Sequence, residues 1–242
     1  MTTPQLFWPS DYSGMIMHHL RCHPELARAA RVCDIGTGSG ILAATALQLG
    51  ARDVVATDLD ADALDLAAQG LAKIAPTAQF EVRAGNLWDA LEPEARFDLV
   101  LANLPNFPAD ALAAAGRPAA WSVGGASGRR AIDPFLAGLA QRLGPGGVAI
   151  FTQNRCIGLG ESLRQLHQAG LTAEVATSAL VPIGPEKIAA LSPECREPSG
   201  IVEVAGFVFL SVDLIVARRD APSPDPAHPA QSAAHSQSGA FR

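Results

Sequence analysis

The chain has 242 residues, of which 24 are acidic and 18 basic, for a formal charge of −6, and only 17% are charged where ordinary soluble chains carry about a quarter. So few Lys and Arg leave no basic stripe to grip a polyphosphate backbone by counterion release, which argues against a nucleic-acid partner. Hydrophobic residues make up 48%, enough for a sizeable core, yet no uninterrupted apolar run of about 18 residues occurs, so no membrane span is expected.

Apolar periodicity alternates between about two and about 3.6 along the chain, the mark of strands interleaved with helices. A first helix is expected near 13–30, then a strand near 31–36, a helix near 40–49, a strand near 52–57 and a helix near 60–73. Strands follow near 78–83 and 97–102, a helix near 128–143, a strand near 146–153 and a helix near 158–169. Ile132, Phe135, Leu136, Leu139 and Leu143 make the clearest apolar stripe, which Gly144, Pro145, Gly146 and Gly147 then stop. The last strands, near 171–181 and 206–217, have no helix between them but a proline-rich stretch from Pro182 to Gly200. Antiparallel neighbours are the simplest solution, so the α/β sheet should be seven-stranded and mostly parallel, with one antiparallel strand and helices on both faces. Glu186, Lys187, Glu194, Arg196 and Glu197 read either as a lid over a site or as an exposed loop.

Residues 1–220 read as one domain, and 221–242, made mostly of Ala, Ser, Pro, Gln and His, as a disordered tail. No basic, then apolar, leader opens the chain, so a cytoplasmic location is the default. Cys22, Cys33, Cys156 and Cys195 form no CxxC pair and read as reduced thiols. His19 and His23 stand four apart without a third ligand at matching spacing, so no metal is expected.

The strongest local signal runs from Val32 to Leu42, where a strand gives way to Gly36-Thr37-Gly38-Ser39-Gly40 and a helix opens. Glycine is needed where backbone turns sharply and approaches a ligand, and the following helix N-terminus adds oriented N–H groups. Twenty-two residues after Gly36, at the end of the second strand, Asp58 can accept both hydroxyls of a ribose. A nucleoside-like cofactor fits both features. The spacing departs from the dinucleotide GxGxxG, and Asp34 stands two residues ahead of the first glycine. After the third strand comes Asn86, whose amide oxygen can accept from an adenine amino group, with Leu87 or Trp88 to cover the ring. Trp88 reads equally well as a residue packed under the sheet edge.

At the C-terminal end of the fourth strand, where open α/β sheets bind ligands, lies Asn103-Leu104-Pro105-Asn106-Phe107-Pro108. A turn held by proline there presents the Asn103 side-chain oxygen and the Leu104 carbonyl as two acceptors suited to a planar N–H₂ group. Such a pair would aim the nitrogen's lone pair at an electrophilic methyl.

The GxGxG turn with its leading acid resembles motif I of class I S-adenosylmethionine-dependent methyltransferases, and Asn103 to Asn106 resembles the NPPY motif of the amino-methyltransferases. The order of motifs resembles the HemK-type glutamine methyltransferase group. Gly124 to Asp133 is similar to that group's GGxxGRxxID stretch, and Pro9-Ser10-Asp11-Tyr12-Ser13 to the segment that folds over the cofactor. The resemblance spans residues 8–170 and implies a Rossmann-like fold. It implies S-adenosyl-L-methionine as cofactor, held by Asp11, Ser13, Asp34, Gly36, Thr37, Gly38, Gly40, Asp58, Leu59, Asn86, Leu87 and Asn103. Asn103, Leu104, Pro105, Asn106 and Phe107 would form the catalytic segment. Asp11 and Ser13 also read as caps of the first helix, and Arg129 and Arg130 either as binders of a substrate carboxylate or as a solvated face.

Two positions depart from the motif. Leu104 replaces a proline, and Asn106 replaces the aromatic residue that stacks on the target, a part Phe107 could take over. The intact cofactor signature beside an altered acceptor motif suggests N-methylation of a small-molecule acceptor. The loop from Asn103 to Gly125, whose charges are Asp110 and Arg117, contributes Phe107 and Trp121 to an apolar wall. The alternatives are a protein side chain, as in the HemK-type group, and a cofactor-binding protein without catalysis. A homodimer stays open.

Overall fold

The computed structural model describes residues 9–109, 121–195 and 200–221. The tail from 222, and Asp110, Arg117, Arg196, Glu197 and the Glu194 side chain, to which expectations were attached, lie outside the described residues.

Ser10 caps α1 (Asp11–Cys22) by accepting from Ser13 N at 3.3 Å, with Asp11 at the positive end of the helix. This helix ends well before the expected 30. Pro24 disfavours helix at the residue before it and carries no N–H, so the chain makes one 3₁₀ turn, Pro24–Leu26, before β1 (Arg31–Ile35). Then follow α2 (Ile41–Gln48), β2 (Asp53–Asp58), α3 (Ala61–Ile74), β3 (Gln79–Ala84), β4 (Phe97–Ala102), α4 (Ile132–Arg142), β5 (Leu143–Asn154) and α5 (Leu159–Gln168).

The sheet order is β3-β2-β1-β4-β5-β8-β6, where β6 is Thr172–Ile183 and β8 is Phe207–Arg218. The strands from β3 to β5 are mutually parallel, and β8 runs antiparallel to both β5 and β6. One strand of these seven is therefore reversed, as the missing helix before it implied. An eighth strand comes as an addition: β7 (Ile201–Val204) folds back on β8 through Ala205 and Gly206, both at positive φ (51° and 79°), as a tight hairpin turn requires. Nor is the stretch after Pro182 all loop, because Pro185 opens the short α6 (Pro185–Ala190) at a position that needs no N–H.

Successive strand residues face opposite layers. Val32, Val54, Leu99, Leu101 and Ile150 pack toward α1 and α2, whereas Cys33, Ile35, Val55, Val100 and Phe151 pack toward α4 and α5. Burial of both faces explains why the strands read as nearly continuous apolar runs. Trp88 belongs to the second layer: its ring stacks on Phe135 with centroids 5.3 Å apart, and its Nε1 donates to Phe135 O at 3.0 Å. A Cβ on Gly138 of α4 would stand 2.3 Å from Trp88 Cδ1. Gly138→Ala should therefore displace the indole and cost about 1–3 kcal/mol, outweighing the roughly 1 kcal/mol that alanine offers a helix. Urea unfolding with an unchanged or raised midpoint would refute this packing.

Candidate active site

β1 and β4 lie side by side, but the sheet grows in opposite directions from them, so a crevice opens beyond their C-terminal ends. A cavity of about 680 Å³ occupies it. Gly36, Thr37 and Gly38 form one part of its wall, Asp58 and Leu59 another, and Asn86 and Leu87 a third. Asn103, Leu104 and Pro105 border the same space, and Ser10 and Ser13 reach it from the start of α1.

Asp34 sits fully buried beneath the turn and is not itself at the cavity wall, so its charge acts on the site from below in place of the expected direct contact. Its Oδ2 accepts from Thr37 Oγ1 at 2.7 Å and from Ala43 N at 3.0 Å, which ties the turn to α2. Its Oδ1 has no partner. Burial pushes the carboxyl up to about 6, against the two donated bonds and with a further push from the Asp58 charge. Asp58 accepts from Gly38 N through Oδ2 at 2.8 Å and from Asp60 N through Oδ1 at 3.0 Å. Each carboxylate oxygen keeps a second lone pair for a hydroxyl.

The three glycines do different work. Gly36 has φ +69°, a conformation that favours glycine, and a Cβ there would stand 2.9 Å from Leu104 Cδ2, so a side chain would strain the turn and push the Leu104 tip aside. Gly40 is not at the cavity wall. With φ +77° and a Cβ position 3.0 Å from the Ala67 Cβ, it lets α2 pack on α3, a packing role in place of the expected cofactor contact. Leu87, at the wall, holds φ +51°, strain that its neighbours sustain at the rim of the site.

Asn103 is held from both ends. Its Nδ2 donates to Ser13 Oγ at 2.9 Å and to Ser10 Oγ at 3.1 Å, while Oδ1 accepts from Thr152 Oγ1 at 3.1 Å. The Leu104 carbonyl accepts from Asn106 Nδ2 at 2.8 Å. Asn106 is otherwise turned into the fold: its Oδ1 accepts from Asn154 N at 2.9 Å and from Asn154 Nδ2 at 2.6 Å, and Tyr12 donates to Asn154 Oδ1 at 2.7 Å. Phe107 does not take over the missing aromatic place. It is buried with Val123, Ile183, Leu191 and Leu210, with Lys187 Nζ 5.4 Å from its ring.

Asp11 is exposed on α1 and Trp88 faces α4, so neither reaches the cavity. Arg129 is no solvated residue: it bonds the Ile157 carbonyl at 2.9 Å and pairs with Asp133 at 2.7 Å, locking α4 to the start of α5. Arg130 does line the cavity, and its Nη2 donates to Val123 O at 2.9 Å. Sequence reasoning placed Ser10 only within the segment that folds over the cofactor, and assigned no part in the site to Thr152 or Asn154. Thr152 lies opposite Asn103 because β4 and β5 pair Ala102 with Phe151, a register that no local spacing announces. Among the described residues no cluster could hold a metal ion, and no helix is long and apolar enough to cross a membrane.

Residues 20–115 match the family model described as ribosomal protein L11 methyltransferase (PrmA). Over 79 residues the chain is 48% identical to the ribosomal protein L11 methyltransferase of Geobacter sulfurreducens, covering 33% of this chain and 25% of that protein. Over 86 residues it is 42% identical to the release factor glutamine methyltransferase of Cereibacter sphaeroides, covering 35% of this chain and 30% of that protein. The matches thus span about a quarter to a third of these curated relatives. The family model is not the HemK-type one to which the motif order pointed, a group represented here by the release factor match. In shape the chain is similar to one chain in the structure of the E. cuniculi Mtq2-Trm112 complex responsible for methylation of the eRF1 translation termination factor. The TM-score there is 0.56 at 19% identity, with 89% of this chain and 99% of that chain covered. The fold is that of class I methyltransferases.

Proposed function

We propose that this chain is an S-adenosylmethionine-dependent methyltransferase that methylates a nitrogen, with a small molecule as acceptor. The observation that carries this reading is the continuity of one cavity from the Gly36–Gly38 turn to Asn103, Leu104 and Pro105. The residues present fit the cofactor: Gly36 and Gly38 put bare backbone at the cavity wall beside Asp58 and Asn86, and beneath the turn one buried carboxyl oxygen of Asp34 has no partner. Asp58 would hold the ribose hydroxyls and Asn86 the adenine amino group, and the charge of Asp34 would draw the methionyl amine from below. When bound, the cofactor supplies an electrophilic methyl on sulfur.

Asn103 Oδ1 and the Leu104 carbonyl each use one lone pair within the protein. Each has one left, so the pair takes two N–H bonds and leaves the nitrogen's own lone pair free for in-line attack. An uncharged nitrogen so oriented would need no base before attack, and the proton left in surplus on the methylated nitrogen would pass to water. A protein side chain is the second reading, favoured by the names of the relatives. Equilibrium binding of S-adenosylmethionine tests the first half of the proposal, and failure to bind would overturn it. Transfer of labelled methyl to the small-molecule fraction of an extract supports the first acceptor class, and transfer to a release factor or to ribosomal protein L11 supports the second.

The position of Asp34 makes affinity depend on pH. Only its ionised form attracts a methionyl ammonium, so cofactor affinity should fall by up to about tenfold per unit below pH 6. Stability should move the other way. The folded value of about 6 exceeds the ordinary 3.8, so the fold keeps a proton that the unfolded chain releases, and stability declines as pH rises from 4 through 6. Titrations of both quantities should show opposite slopes, and Asp34→Asn should flatten both.

A further inference from the structure

Trp121 and Asp60 belong to different sides of the cavity. Asp60 lies in the connection from β2 to α3, Trp121 in the connection from β4 to α4, and β1 runs between those strands. The two connections therefore leave the sheet about 10 Å apart. Yet Trp121 Nε1 donates to Asp60 Oδ2 at 3.4 Å, and both residues line the cavity. The contact thus crosses the Gly-rich turn that ends β1. Asp60 divides its oxygens: Oδ1 caps α3 by accepting from Asp62 N at 2.9 Å, which leaves Oδ2 to the indole. Trp121 is the one aromatic residue at the cavity wall among the described residues.

From this crossing we infer that Trp121 and Asp60 form a strap over the bound cofactor, with Trp121 a binding residue that sets its residence time. The inference rests on the proposed S-adenosylmethionine site. A nucleoside held on the turn by Asp58 lies beneath the indole, and it leaves only when the N–H···O bond opens. Once the nucleoside is seated, the indole that Asp60 holds in place packs on it, a contact that slows dissociation more than association.

The probe is S-adenosylhomocysteine, followed by stopped-flow binding and displacement with the wild type, Asp60→Asn, Trp121→Phe and the double variant. Asp60→Asn preserves the fold, because the amide keeps an oxygen for the α3 cap while it turns a donor toward the indole in place of an acceptor. Phenylalanine keeps an aromatic ring and loses the N–H. The expected off-rate rises about five- to tenfold in each single variant, rises no further in the double variant, and on-rates stay within about threefold. Off-rates equal to the wild type in both single variants, or effects that multiply in the double variant, overturn the strap. A wild-type protein that does not bind the probe overturns the functional reading instead.

Discussion

Asp58→Ala is expected to weaken S-adenosylmethionine binding by about two to three orders of magnitude. A hydrogen bond to a charged group contributes about 1.5–3 kcal/mol, and the carboxylate has room for two ribose hydroxyls. The structure adds a second source of loss. Asp58 also receives Gly38 N and Asp60 N, so alanine leaves the Gly-rich turn without its anchor and removes the charge that shapes it. Asp58→Asn separates the two effects, because one amide oxygen can still accept from Gly38 N; its affinity should lie between those of the wild type and the alanine variant. Calorimetric titration decides, with circular dichroism to establish that the fold persists. An alanine variant within about threefold of wild-type affinity would remove Asp58 from the cofactor site.

The parts of the fold legible in the sequence were those fixed by short-range physics. Alternating periodicities located the parallel core, and a proline-rich stretch in place of a long crossover helix before the last strand located the reversed one. The end of α1 was missed because its apolar pattern runs on past Pro24, where the missing N–H stops the helix. β7 escaped because four residues with no alternation of their own become a strand only by pairing with β8.

The site divides in the same way. Asp34, Gly36 and Asp58 are readable because a sharp turn and an acid at a fixed remove follow from one strand-turn-helix unit. Asn106 and Phe107 were harder. Their side chains depart from the cavity because β5 offers Asn154 as a hydrogen-bond partner, and the end of β6 and the excursion after it offer Ile183 and Leu191 as apolar cover. Both partners lie far along the chain, so spacing around Asn103 could not announce them. With an amide at position 106, the Leu104 carbonyl gains a polar brace.

Asn103→Ala is expected to remove about 10²–10³-fold of turnover while changing cofactor affinity by less than about fivefold. The amide oxygen is one of two acceptors that fix the attacking nitrogen, and losing it leaves the Leu104 carbonyl alone to orient an N–H₂ group. Its amide nitrogen, however, braces Ser10 and Ser13, which border the cofactor cavity, so a small loss of affinity accompanies the change. Ser13→Ala gives the comparison. It breaks one brace and leaves the Asn103 oxygen in place, so turnover should fall far less than in the Asn103 variant while affinity changes by a similar small amount. Labelled methyl transfer to whichever fraction accepts it measures turnover, and equilibrium titration measures affinity. The assignment fails if Asn103→Ala costs as much cofactor affinity as Asp58→Ala, because the two ends of the cavity would then not divide binding from chemistry.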